Sequence, residues 1–358
     1  MKFLKNKLSK TFGIYILSNI INSAIPFLLL PILTTYLSPS SYAKTDLFFV
    51  IVQFLIPLIG LNVFSAITRY YFDKNTDLRL FISSTFFVIL TGSIFISLLT
   101  FFGKDVIERY TQIPSSWVYT IVLYAISQNI IQVVLALWQV KYKAVQYGIF
   151  RIIRTLVDII LSLIFIISFF MDWQGRILGQ TLAACIFALI AFYFLLKENL
   201  LVLKINMIYL KKMILFGTPL ILHTLGSIII SYSDRLFITN MINIEITGYY
   251  AVGYQIGMII YLIQNSFNQA WTPWLFEKLN ENHKSSKLHI IKFTYGYFSV
   301  LIILWLILSL VAPHLFGWFI TKKYLQSIQF ILWIALGFVF NGMYKMVAAY
   351  IFYIKKTY

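Results

Sequence analysis

The sequence predicts an all-α, polytopic membrane protein of about ten transmembrane helices in two repeat-related lobes, and three observations predict it. First, 60% of the 358 residues are hydrophobic and only 11% are charged, where a soluble domain carries roughly 25% charged residues. So few charges cannot cover a water-facing surface without exposing large apolar patches, so lipid must solvate most of the chain. Second, apolar stretches long enough to cross ~30 Å of hydrocarbon recur along the whole length. Third, lysine and arginine are dense in one loop and sparse in the next. Together these exclude a soluble enzyme or a cytosolic binding module. The net charge of +17 does not mark a nucleic-acid binder, because the basic residues are scattered between apolar runs instead of gathered on one face.

The first span is expected at 13–36. Lys2, Lys5, Lys7 and Lys10 before it imitate a signal peptide. The apolar run is about 24 residues long, however, contains Pro26 and Pro31 and lacks a small-x-small cleavage site, so it is expected to remain as an uncleaved span. Spans at 47–67, 80–103, 117–138, 152–171 and 177–196 complete a first set of six. Between 199 and 212, Leu200, Leu201, Leu203, Met207 and Leu210 interleave with basic residues, which suggests a helix lying on the membrane surface as an interfacial linker. Four further spans follow at 213–238, 247–267, 290–312 and 328–351. The expected organisation is therefore a six-helix lobe at 1–198, a linker at 199–212 and a second lobe at 213–358. Tyr36, Trp117, Trp138, Trp173 and Trp305 read as interface anchors. Loops on the side of the N-terminus carry about three times as many lysines and arginines as those opposite, so both termini are expected in the cytoplasm. Cys185 stands alone in an apolar run and reads as a small buried hydrophobe.

An internal repeat supports the two lobes. Phe12-Gly13 recurs as Phe216-Gly217. The same offset carries Ala66, Thr68, Phe72 and Asp73 onto Ala270, Thr272, Phe276 and Glu277, and Asn19 and Ser23 onto His223 and Ser227. Six spans separate the copies, so both should share one orientation about an axis along the membrane normal. A second copy as long as the first would run to about residue 408. The second lobe is thus expected to lack its last two helices.

Polar groups within hydrocarbon are where chemistry is to be sought, since a charge there costs roughly 2.5–3.5 kcal/mol. Ser18, Asn19, Asn22, Ser23 and Pro26 share a face of the first span; His223, Ser227, Ser231 and Asp234 share one on the seventh. Such stripes suit either a polar cavity or hydrogen bonds between helices, and for His223 a single interhelical hydrogen bond is the simpler expectation. Asn341 and Lys345 lie one turn apart in the tenth span, where the lysine must snorkel, pair or line water. Arg151, Arg154 and Asp158 share a face of the fifth, so Arg154 and Asp158 are expected to neutralise one another. Asp234 and Arg235 could form a gate, a ligand site or an interfacial pair. No HExxH, P-loop or GxSxG occurs and the four histidines are dispersed, so no metal, no cofactor and no enzymatic activity are expected; transport fits better than catalysis.

Several segments carry a family resemblance. Ile25-Pro-Phe-Leu-Leu-Leu-Pro-Ile-Leu-Thr-Thr-Tyr-Leu-Ser-Pro-Ser-Ser-Tyr42, Ser65-Ala-Ile-Thr-Arg-Tyr-Tyr-Phe72, Pro219 to His223, Ser233-Asp-Arg-Leu-Phe237, Gly253-Tyr-Gln-Ile-Gly257 and Phe267-Asn-Gln-Ala-Trp-Thr-Pro-Trp274 resemble Wzx-type polysaccharide flippases. These belong to the multidrug/oligosaccharidyl-lipid/polysaccharide exporter superfamily. The segments span most of the chain in the family's order, and Lys355-Lys-Thr357 resembles the point before the family's eleventh span. Ala43 stands where the family usually has Gly, and Leu222 where a proline often precedes the histidine. The resemblance implies a bacterial inner-membrane flippase that moves an undecaprenyl-pyrophosphate-linked oligosaccharide outward by rocking two lobes. Lys345, Arg235 and Arg154 are then candidate phosphate contacts, with Asn19, Asn22, His223, Asn268 and Asn341 lining the sugar path and Asp234 beside Arg235. Membrane lipids, a polysaccharide polymerase and chain-length machinery are the implied partners, and no nucleic acid is. A peptidoglycan-precursor flippase, a cation-coupled antiporter of the same superfamily and an inactive truncated remnant are the alternatives. The absence of a carboxylate from 13–36 disfavours the antiporter.

Overall fold

A computed structural model describes residues 2–73, 76–280 and 284–353; the side chains of 2–13, 15–17, 19, 270, 273, 277, 284–287 and 352 are outside that description. The expectations placed on Lys2, Lys5, Lys7, Lys10, Phe12, Asn19, Ala270, Glu277 and Lys355-Lys-Thr357 therefore fall, wholly or for their side chains, outside the described residues. Among the described residues the chain forms helices and no strand. The helices are α1 (Lys2–Tyr36), α2 (Pro39–Gly60), α3 (Val63–Tyr70), α4 (Leu78–Thr111), α5 (Val118–Val140), α6 (Ala144–Leu163), α7 (Trp173–Lys197), α8 (Met207–Met241), α9 (Ile244–Asn280), α10 (Lys284–Leu315) and α11 (Ile328–Tyr353). Eight of these elements are long and apolar enough to cross a bilayer, and Ile20–Tyr36 forms a shorter apolar helix. The fifth expected span, 152–171, lies on α6, which carries Arg151, Arg154 and Asp158 and continues into a π-helical turn at Ile164–Ser168.

Two expectations about individual elements are corrected. The second span, read as continuous over 47–67, breaks after Gly60, where Leu61 and Asn62 take φ of 45° and 52°. Left-handed backbone is uncommon for residues other than glycine; here Asn62 Nδ2 donates to Thr224 Oγ1 at 3.2 Å and ties the turn to α8. The surface helix expected over 199–212 does not form across 200–206. Instead, Ser83 Oγ accepts the Val202 N–H at 2.8 Å and Ser84 Oγ accepts the Asn206 N–H at 3.2 Å. Side chains of α4 thus take backbone donors that a helix would have turned inward. Asn206 then caps α8, accepting from the N–H groups of Ile208 and Tyr209.

Contacts divide the chain into two compact units, residues 1–25 with 36–248 and residues 26–35 with 249–358. The contact units differ from the halves drawn at the linker because α8 belongs with unit 1. Tyr209, Leu210 and Met213 are buried in the same core as Phe48, Phe81 and Ile131. Gly217, the glycine of the repeated Phe-Gly pair, shows why the motif needs glycine in this copy: a Cβ there would overlap the Leu61 carbonyl. The other crossing occurs within α1, at Pro26, which cannot donate to the Asn22 carbonyl. Residues 26–35 join unit 2, where Phe27 stacks on Phe319 with centroids 5.4 Å apart and Thr321 Oγ1 donates to the Thr34 carbonyl at 2.7 Å. The core of unit 2 gathers Ile260, Trp271, Leu275, Leu301, Ala335 and Val339 from α9, α10 and α11.

Candidate functional site

In unit 1, α1 approaches α6 closely enough that a side chain on Gly148 would overlap Ser18 Oγ. Further along the same faces the Asn22 amide meets Thr155 Oγ1 at 2.7 Å. With its nitrogen turned to that hydroxyl, as the neighbouring donors require, its oxygen accepts from Arg151 Nη2 at 3.1 Å. Arg151 also donates to Tyr147 Oη at 3.2 Å, and Arg154 donates to Tyr124 Oη on α5 at 3.2 Å. Asn19, on the same helix, has its side chain outside the described residues.

The expected pairing of Arg154 with Asp158 does not form. Asp158 Oδ1 is held by Arg176 Nη1 of α7 at 2.5 Å, and the same Nη1 donates to Ser162 Oγ at 2.6 Å. Two causes favour the α7 partner. An acid placed after its base at i,i+4 is the weaker helical order, and Arg176, which is buried, needs a counter-charge more than the better-exposed Arg154 does. Among the described residues no carboxylate lies within ion-pair distance of Arg154.

Asp234 and Arg235 do come together, with a residue the sequence did not single out. Arg235 is 2% exposed. Its Nε donates to Asp46 Oδ2 of α2 at 2.6 Å, its Nη1 to Asp234 Oδ1 at 2.9 Å and to the Ser231 carbonyl at 3.1 Å, and it lies over the Tyr232 ring. His223 is exposed; its carbonyl accepts from Ser227 Oγ at 3.1 Å. The interhelical hydrogen bond expected of its ring is not found among the described residues.

In unit 2, Lys345 and Asn341 of α11 face α9. Lys345 Nζ donates to Asn265 Oδ1 at 3.3 Å and lies 4.7 Å from the centre of the Tyr261 ring, an arrangement that attracts a cation to the π-face. Asn341 Oδ1 accepts from Gln264 Nε2 at 2.9 Å. Gln264 is fully buried and, among the described residues, its Oε1 has no hydrogen-bond partner. Asn268 is half-buried one turn further along α9. Tyr261, Gln264 and Asn265 were missed, yet their spacing to Asn268, at i, i+3, i+4 and i+7, is a polar stripe on one helical face and could have been found by the rule that found the stripe on α1. Asp46 and Arg176 left no such signal, because both fell in stretches read as loops.

The helices and their connections have the fold of multidrug/oligosaccharidyl-lipid/polysaccharide (MOP) superfamily transporters. A multidrug resistance MATE family transporter of that superfamily, solved in an outward-facing conformation, superposes with a TM-score of 0.56 over 94% of this chain and 82% of its own, at 18% identity. A MATE in complex with MaD3S superposes with a TM-score of 0.60 over 96% and 82%, at 17% identity. Residues 8–279 match the family of polysaccharide biosynthesis proteins, and the chain belongs to that family. Among curated relatives, an uncharacterized membrane protein of Haemophilus influenzae is 24% identical over 98% of this chain and 85% of its own. Protein 1 of the Lsg locus of the same organism is 22% identical over 98% and 86%.

Proposed function

We propose that this protein is a flippase that carries an undecaprenyl-pyrophosphate-linked oligosaccharide across the bacterial inner membrane for surface polysaccharide assembly, with both termini in the cytoplasm. The observation that carries the reading is that two cations, Lys345 on the membrane-spanning α11 and Arg154 on α6, meet an amide, a phenol and a ring but no carboxylate among the described residues. A cation left without a counter-ion in hydrocarbon suits a ligand that supplies one, and phosphate does so with charge-assisted hydrogen bonds. Asn22, Asn268, Asn341 and Gln264 offer the donors and acceptors that sugar hydroxyls need, and the sequence adds Asn19 on α1 and His223 on α8 to the polar groups of the path. Arg235 is taken up by Asp46 and Asp234, so it reaches phosphate only in a conformation that releases one of them. Membership of the polysaccharide biosynthesis family supports this substrate class over a drug-like one.

The test is complementation of a strain lacking its own flippase. Lys345→Gln and Arg154→Gln, expressed at the level of the unsubstituted protein, are expected to cut surface polysaccharide at least tenfold, the loss of about 1.4 kcal/mol of binding, while lipid-linked repeat units accumulate on the inner leaflet. Full surface polysaccharide from both variants would sink the cationic-site reading.

A further inference from the structure

We infer that the strap joining α7 to α8, from Lys197 to Lys211, is a binding surface for anionic phospholipid headgroups. Its inner side is pinned. Leu200 and Leu210 are buried, Ser83 and Ser84 hold the backbone at Val202 and Asn206, and Tyr209 Oη accepts the Asp77 N–H at 2.8 Å. With the inner side fixed, what points outward cannot fold away. Leu203 is wholly exposed, Met207 is 74% and Ile208 66% exposed, and Val202 and Ile205 are exposed beside them.

The same stretch carries Lys197, Lys204 and Lys211, all exposed. Among the described residues no carboxylate lies within ion-pair distance of any of the three. Their neighbours differ: Lys141 and Lys143 are paired with Glu198, and Lys212 lies 3.8 Å from Asp73. Chain connectivity sets the depth, since the strap leaves one membrane-spanning helix at Lys197 and enters the next at Met207. At that depth apolar tips reach acyl chains while lysine stems carry their ammonium groups to the phosphates. An apolar edge with unmatched positive charge therefore selects anionic over zwitterionic headgroups. A protein partner would be expected to offer carboxylates to the lysines and would shield Leu203 from lipid.

The experiment uses the full chain in nanodiscs of phosphatidylcholine with or without phosphatidylglycerol. A nitroxide at Leu203→Cys, in a Cys185→Ala background, is expected to be more accessible to oxygen than to an aqueous nickel chelate. Native mass spectrometry of the unlabelled chain is expected to show phosphatidylglycerol retained over phosphatidylcholine. Each of Lys197→Gln, Lys204→Gln and Lys211→Gln should weaken that preference about fivefold, and the three Lys→Arg variants should keep it. A nitroxide that reads as aqueous in both discs, or a triple Gln variant with its preference intact, overturns the inference. Neither readout involves the transported substrate, so failure here leaves the flippase reading standing, and failure of the flippase reading leaves this one.

Discussion

In unit 1 the most deeply placed arginines come with carboxylates. Arg235 has Asp46 and Asp234, and Arg176 has Asp158 at 2.5 Å. In unit 2, Lys345 has an amide oxygen at 3.3 Å and an aromatic face at 4.7 Å. The difference matters because a lone charge in the middle of a bilayer costs roughly 2.5–3.5 kcal/mol. A carboxylate in contact offsets most of that cost and turns the pair into a fixed joint between helices. Amides and a ring offset only part, so Lys345 keeps a residual cost in the absence of ligand. Position alone does not separate a structural charge from a functional one; the chemistry facing it does.

The largest expected effect would break this contrast if it failed. Arg235→Ala leaves Asp46 and Asp234 without their shared cation and should destabilise the protein by about 3–5 kcal/mol, the usual result of orphaning a buried partner. Thermal unfolding of the purified protein in detergent reads this as a large fall in Tm. Arg235→Met combined with Asp46→Asn and Asp234→Asn should recover most of the loss, because all three charges are then removed together. An unchanged Tm in Arg235→Ala would mean that the carboxylates are already well solvated and that the joint is not one.

Lys345 should respond with the opposite sign. Lys345→Met keeps the length and apolar stem of the side chain and removes the charge, so Tm is expected to stay the same or rise, by up to about 1 kcal/mol of stability. A fall as large as that of Arg235→Ala would place Lys345 with the structural charges and remove the main support for its contact with phosphate.

What the sequence could reveal follows the same division between local and distant causes. The spans were legible because lipid demands long apolar runs whatever the helices pack against. The break after Gly60 was not read, because the apolar run continues across Gly60 and Asn62, the two residues that mark it locally, and the Asn62 side chain that ties the turn reaches Thr224, more than 160 residues away. Lys345 and Asn341 were legible as polar residues on an apolar helix. The partner of Asp158 was not, because choosing Arg176 over Arg154 needs the packing of α6 on α7. The offset that carries Phe12-Gly13 onto Phe216-Gly217 was readable from letters alone, whereas the reason for Gly217 appeared only with the Leu61 carbonyl in place.

The smallest effect concerns the membrane-flanking clasp of unit 1, where Glu198 accepts from Lys141 and, at 2.7 Å, from Lys143. Burial pushes the Glu198 carboxyl up, but the hydrogen bonds and charges of the two lysines outweigh it and hold its pKa below the ordinary value. A carboxylate depressed on folding contributes stability that is fully present above its unfolded pKa, about 4.3, and is lost as pH falls through the lower folded value. Glu198→Gln should therefore lower stability at pH 7 by about 1 kcal/mol or less, since the clasp is partly exposed and screened. The two proteins should begin to approach one another in Tm as pH falls below the unfolded value and converge only below the depressed folded one. Because the clasp pairs its charges as Arg235 does but stands nearer water, it provides the intermediate case. A gap between the two that stayed constant from pH 7 to pH 3 would show that Glu198 acts through packing and not through its charge.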